Sequence, residues 1–233
     1  MQSPSSWQKA SDIDNGFISG EIAADNKGFY PAKFGDGIEP DKWQGPSLQK
    51  GLETSLQDFR ADIAIECLNG PEQMGTLTVY FRDANNNIVA RIGFGDAWAT
   101  KAENFGYMQL GNYYTGPRVD AHADYAYGWN NFNGIIRIAR DGNEWTAYYA
   151  IVHPDGRHDW VHSRTRIIDT NGQYTAPIQT VQVAFRLWYG AERTNMHIKN
   201  IKIFKVNQKP QSTAVPFMAR EGDRLVVDTK TSK

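Results

Sequence analysis

An all-β chain, folded as an antiparallel β-sandwich or jelly roll, is what this sequence predicts. Three observations carry that expectation. Several segments alternate apolar and polar residues with a period of two, the signature of a half-buried strand. Trp, Tyr and Phe (7, 11 and 11 residues) make up 12% of the chain, and such rings favour pleated surfaces. The 21 Gly and 10 Pro residues supply the punctuation that turns require. With 233 residues, 40% of them hydrophobic, the chain has apolar matter for one large core.

The clearest strand runs from Phe59 to Cys67. Phe59, Ala61, Ile63, Ile65 and Cys67 fall on one face, and Arg60, Asp62 and Glu66 fall on the other with Ala64 as the exception. Leu77, Val79 and Phe81 alternate with Thr76, Thr78, Tyr80 and Arg82. After the polar turn at residues 83–87, the alternation resumes with Ile88, Ala90, Ile92 and Phe94, which predicts a hairpin. A second hairpin joins 134–140 to 145–152 across Asp141-Gly142-Asn143, where Gly accepts the positive φ that a tight turn demands. The turn Pro154-Asp155-Gly156-Arg157 leads into one strand over 158–168. Val181, Val183, Phe185, Leu187 and Tyr189 share a face, and 196–206 reads as a further apolar strand. Weaker strands are expected at 16–23, 47–52 and 106–110.

About ten strands, with short turns and no amphipathic helix, predict a sandwich, with a closed barrel as the alternative that spacing leaves open. Residues 111–133, rich in Tyr, Asn and Gly, show no period, and such long irregular segments are often functional. The expected organisation is a flexible lead at 1–11, a module at 12–207, and a linker with the start of another segment at 208–233.

Composition excludes several classes. Lys and Arg (25) balance Asp and Glu (26), so no basic excess is available for a phosphate backbone, and nucleic acid is not an expected partner. Neither a membrane span nor a signal peptide is legible, and no membrane partner is expected. The lone Cys67 sits among core positions and reads as a buried thiol. No nucleophile elbow and no phosphate-binding glycine loop occurs. Glycoside hydrolysis needs two carboxylates flanking the scissile bond, and the nearest candidates, Asp58 with Asp62 and Asp62 with Glu66, read as a solvated strand face. Asp83 to Asn87 imitates the start of a calcium loop, but Ile88 stands where the sharp-turn glycine belongs and no Glu closes the loop. No cofactor is expected; the one candidate for a structural calcium ion is Asp12-Ile13-Asp14-Asn15. His153, His158 and His162 lack metal-ligand spacing.

Recognition remains. If the strands around 148, 160 and 186 lie in one sheet, its solvent face carries Trp160, Tyr148, Trp188, His162, Arg164, Arg166 and Arg186, with Trp129 and Tyr127 as further rings from the irregular segment. Rings cover the C–H patches of a sugar, and guanidinium or imidazole groups donate to its hydroxyls. The competing expectation is that these rings are core. A sugar hiding about 100 Å² of apolar surface gains roughly 2.5 kcal/mol, so a single site binds weakly and benefits from display in several copies.

Several longer words, among them Trp43-Gln44-Gly45-Pro46-Ser47-Leu48, Leu56-Gln57-Asp58-Phe59, Tyr80-Phe81-Arg82-Asp83 and Arg140-Asp141-Gly142-Asn143-Glu144-Trp145, extend this expectation. So do Gly172-Gln173-Tyr174-Thr175 and Ile201-Lys202-Ile203-Phe204-Lys205. Together they resemble the carbohydrate-binding module of evolved distal tail proteins in siphophages of Gram-positive, lactobacillus-type bacteria. The resemblance implies a noncatalytic lectin at the virion tail tip or baseplate that binds host cell-wall polysaccharide and aids adsorption. Its partners would be that saccharide, the rest of the tail protein and other tail-tip proteins. The Arg content then suits anionic or phosphorylated glycans. The rival expectations are a β-sandwich glycoside hydrolase acting on the cell wall and a purely structural tail domain.

Overall fold

The computed structural model describes residues 7–9, 20–34, 45–67, 75–96, 104–111, 115–121, 132–161, 166–187 and 196–206. All the regular structure among them is strand: β1 (Gln8–Lys9), β2 (Gly20–Asp25), β3 (Gly28–Phe34), β4 (Ser47–Leu56), β5 (Phe59–Cys67), β6 (Gly75–Arg82), β7 (Ile88–Asp96) and β8 (Asn104–Leu110). There follow β9 (Arg118–Ala121), β10 (Phe132–Asp141), β11 (Glu144–Val152), β12 (His158–Val161), β13 (Arg166–Ile168), β14 (Ile178–Leu187) and β15 (Met196–Lys205). They form two antiparallel sheets. The seven-stranded sheet has the order β1-β4-β14-β6-β7-β8-β9, and the eight-stranded sheet the order β12-β11-β10-β5-β15-β3-β2, with β13 also pairing β11. Each sheet has its own edges, so the architecture is a sandwich and not a closed barrel.

Alternation decides which side chains meet between the sheets. Phe59, Ala61, Ile63 and Ile65 of β5, with Ile136, Ile138, Trp145, Ala147 and Tyr149, line the inner face of the eight-stranded sheet. Leu77, Val79, Phe81, Ile92, Phe94, Met108, Val181, Val183 and Phe185 line the inner face of the other. Phe59 sits at the junction. Its ring centre lies 5.1 Å from Phe81 across the gap and 5.9 Å, edge-on, from Trp145 in its own sheet. Tyr149 bridges the layers differently, its ring occupying the space that a Cβ on Gly106 would fill.

The turns follow their residues. Asp83 accepts the backbone N–H groups of Asn85 (2.9 Å) and Asn87 (2.8 Å), and Asn86 takes a positive φ of 65°. The look-alike of a calcium loop is thus a self-satisfied hairpin turn. Gly142, at φ 61°, closes the two-residue turn between the paired Asp141 and Glu144.

Four expectations need correction. Gln8 and Lys9 pair with Gln49 and Leu48, and Trp7 meets Phe29 edge-on at 5.8 Å; this part of the expected flexible lead belongs to the sandwich, held by ring burial and ladder bonds. Part of the expected irregular stretch 111–133 is strand, because β9 pairs with β8 and β10 starts at Phe132. The single strand expected over 158–168 is two, β12 and β13, both pairing with β11. Between the pairs Tyr149–Val161 and Thr146–Arg166, β11 spends two residues and the facing segment four, so the ladder cannot run through. Finally, of the weak strand expected at 16–23, residues 20–23 belong to β2 and 16–19 lie outside the described residues; the unexpected partner is β3, reached by a turn in which Asp25 accepts the N–H groups of Lys27 (2.7 Å) and Gly28 (3.1 Å).

Candidate functional site

The structure brings together three of the residues expected to bind and separates a fourth. Tyr148 lies on β11, Trp160 on β12 opposite Ala150, and Arg166 on β13 opposite Thr146. The interruption between β12 and β13 displaces the register by an even number of residues. Period-two alternation therefore survives it, and Ala150, Tyr148 and Thr146 mark one continuous outer face of the eight-stranded sheet. Of Trp160 only the backbone is described. His162, Arg164, Trp188, Trp129 and Tyr127 lie outside the described residues, as do the calcium candidates Asp12 to Asn15.

Arg186 is elsewhere. The expectation of one shared sheet fails because β14 pairs with β4 and β6 in the seven-stranded sheet. There Arg186 is 4% exposed and donates from Nη2 to Thr78 Oγ1 at 3.0 Å. It belongs to a polar layer on the outer side of that sheet, where a ladder row Gln49–Gln182–Tyr80–Arg91–Gln109–Arg118 crosses six strands. The guanidiniums of Arg82, Arg91 and Arg186 stand 5.2, 5.6 and 5.6 Å from the Tyr80 ring centre. Arg82 donates to Gln182 Oε1 (2.7 Å), and Gln182 donates on to Ser47 Oγ (2.9 Å). These side chains are buried; their hydrogen bonds and ring contacts tie four strands together. That is scaffold chemistry, and the period-two rule alone could not separate it from a solvent face.

The outer face of the eight-stranded sheet is more open, and its register is legible in two adjacent rows. One runs Tyr148–Arg137–Asp62–Lys202 and the next Arg166–Thr146–Ala139–Arg60–Phe204. Arg137 holds Asp62 with both arms, Nε to Oδ1 at 2.6 Å and Nη2 to Oδ2 at 2.8 Å. Arg60 approaches the same carboxylate at 3.5 Å and stacks its guanidinium 4.4 Å from the Phe204 ring centre. Burial pushes the Arg60 guanidinium below its usual value; Asp62 draws it back up and Arg137 pushes it down again. Arg166, exposed, donates to Glu144 at 2.7 Å. Half-buried Tyr148 therefore stands beside a fixed Arg–carboxylate pair, flanked on the other side by the small side chain of Ala150.

The carboxylates considered for hydrolysis are committed to structure. Asp62 serves two arginines. Asp58 is buried and accepts the N–H of Gly142 at 2.8 Å, and Glu66 lies 3.8 Å from Lys199 Nζ. Among the described residues no three His, Cys, Asp or Glu side chains are grouped to hold a metal ion. Sequence reasoning missed the Arg137–Asp62 pair beside Tyr148 and the stacking of Arg60 on Phe204 in the next row. The missing information was strand order: the β10–β11 hairpin was legible, but that β5 and β15, distant in sequence, continue the sheet beyond it was not.

No family model and no curated protein matches the chain. Solved structures do. The chain is similar to the CBM2 module of the evolved Dit of Lactobacillus casei BL23 phage J-1, with a TM-score of 0.62 and 14% identity, covering 84% of this chain and 87% of that one. It is similar to a legume lectin-like domain from Entamoeba histolytica, with a TM-score of 0.55 and 9% identity over 82% of this chain and 90% of that one. It is similar also to SCLam, a non-specific endo-β-1,3(4)-glucanase from family GH16, with a TM-score of 0.55 and 8% identity over 86% and 84%. At such identities the likeness is one of fold: the chain is an all-β sandwich of the kind shared by lectins, carbohydrate-binding modules and β-sandwich glycoside hydrolases.

Proposed function

We propose that the chain is a noncatalytic carbohydrate-binding module that works at the tip of a phage tail, where it binds host cell-wall polysaccharide during adsorption. The observation that carries this reading is the grouping of Tyr148 and Arg166 on the outer face of the eight-stranded sheet, next to the Arg137–Asp62 pair, with the backbone of Trp160 on the strand beside them. A phenol ring offers an apolar plate for sugar C–H groups, and an Arg–carboxylate pair offers fixed donors and acceptors for vicinal hydroxyls. The sandwich shared with a phage Dit module supports the location. The noncatalytic reading is supported by the engagement of Asp58, Asp62 and Glu66 described above.

The hydrolase reading keeps one observation in its favour, the fold shared with a GH16 glucanase. One experiment separates the two. The chain is incubated with purified cell-wall polysaccharide, and both adsorption and released reducing ends are measured. Adsorption without release is expected, and Tyr148→Ala should weaken it roughly tenfold, the equivalent of about 1.4 kcal/mol, with an unchanged melting curve. Release of reducing ends would establish the hydrolase. Absence of adsorption, together with failure of the labelled chain to decorate host cells, would leave a structural tail domain.

A further inference from the structure

Two adjacent rows on the outer face of the eight-stranded sheet carry more cations than acids. Across the two rows above, Arg137, Lys202, Arg166 and Arg60 are cationic and Asp62 is the one acid, with Glu144 alongside Arg166. We infer that this face takes an acidic saccharide, whose carboxylate or phosphate group is bound between Arg60 and Lys202. The inference rests on the proposal that the face binds glycan, and it adds the ligand's chemical class.

Asp62 supplies only two oxygens, and Arg137 occupies both at 2.6 and 2.8 Å. Arg60 is left with a 3.5 Å approach to Oδ1, and its buried Nε has no hydrogen-bond partner. Phe204 beneath it, at 4.4 Å, holds the guanidinium plane while its remaining N–H donors stay available to a planar or tetrahedral oxyanion. Lys202 is exposed and pairs across the ladder with Asp62, which places it on the same face and diagonal to Arg60. Arg60 and Lys202 are thus diagonal neighbours on the ladder beside a carboxylate already engaged by Arg137. A ligand acid would complete the balance, and the half-open face admits it: the Arg60 side chain retains 21% exposure.

The test compares three matched oligosaccharides on the full chain by calorimetry: one neutral, one carrying a uronate and one carrying a phosphodiester. Both acidic ligands, or one of them, should bind on the order of tenfold tighter than the neutral one at low salt, with the advantage shrinking as salt is added. A gain for the uronate alone or the phosphodiester alone supports the inference and names the source of the acid. Lys202→Glu, at an exposed position, should abolish the advantage. Arg60→Met, checked by a melting curve, should do the same. Equal affinities for neutral and acidic ligands, or an advantage that Lys202→Glu leaves intact, would overturn the acid site while the glycan-binding proposal stands. Binding of no saccharide at all would overturn both.

Discussion

Tyr107 lies directly over Gly93 on the neighbouring strand, and its hydroxyl meets Thr78 Oγ1 at 2.7 Å, one strand further on. The ring occupies the space a Cβ would need, so the hydrogen bond depends on the missing side chain of Gly93 on the strand between the two partners. Gly93→Ala should displace the ring and cost about 1–3 kcal/mol, the usual range for overpacking, seen as a lower urea midpoint. The double variant Gly93→Ala with Tyr107→Ala should cost less than the sum of the two single changes, because the collision disappears with the ring.

Arg140 should be among the least replaceable polar residues. Buried at one end of the sandwich, it donates to the carbonyls of Gly142 (3.0 Å), Ala176 (3.0 Å) and Thr175 (2.8 Å). Burial holds its guanidinium below the usual value, while Asp58 and Asp169 oppose the shift. Those acids in turn fix turns: Asp58 accepts from Gly142, and Asp169 from the N–H groups of Gln173 and Tyr174. Arg140→Met should cost about 1–3 kcal/mol, since the Gly142 and Ala176 carbonyls lose this donor, while Thr175 keeps the Gln57 side chain. Arg140→Lys should recover only part of it, because a point charge cannot span three acceptors. Thermal melts of the three proteins test the order.

The Arg137–Asp62 pair is mostly shielded, with side-chain exposures of 14% and 15%. Removing one partner leaves the other poorly solvated, so Asp62→Asn and Arg137→Ala should each cost about 1–3 kcal/mol, between the values for surface and buried pairs. A double-mutant cycle should give a coupling energy of at least about 1 kcal/mol. Near-additive single effects would show that the pair contributes no mutual stabilisation.

Acid should loosen the β2–β3 turn. The N–H of Lys27, aided by His197 and the N–H of Gly28 against the opposing effect of desolvation, holds the Asp25 carboxyl below its ordinary value of 3.8. A depressed folded-state value means that the contact stabilises above the unfolded value and is lost as pH falls through the folded one. The stabilisation should thus be complete at neutral pH and fade below about pH 4. An NMR titration should show the Asp25 carboxyl and the Lys27 and Gly28 amides moving together in that window. Asp25→Asn should remove the transition.

Much of the strand pattern was legible locally. The Phe59–Cys67 strand has the limits its alternation indicates, and the two hairpins 75–96 and 132–152 pair as Asp-Gly and Asn-rich turns require. These succeed because inward positions must be apolar and turn positions must accept unusual φ. Arg186 shows where such reasoning stops. Its alternation with Val183 and Phe185 identifies an outward side chain correctly, yet outward on this sheet means a packed layer of arginine, glutamine and tyrosine. Tyr148 alternates in the same way and remains half-buried beside Arg137. Periodicity reports which side of a strand a residue occupies, not what lies over that side.

From the sequence by itself came the fold class, the inward row of each long strand and the chemistry of the turns, because each depends on residues adjacent in the chain. Tertiary structure alone decided which distant strands are neighbours: that β14 is inserted between β4 and β6, taking Arg186 away from Tyr148, and that β5 lies against β10, bringing Asp62 to Arg137. Those choices depend on packing two sheets over a shared core, a long-range free energy to which no short stretch of sequence holds the key.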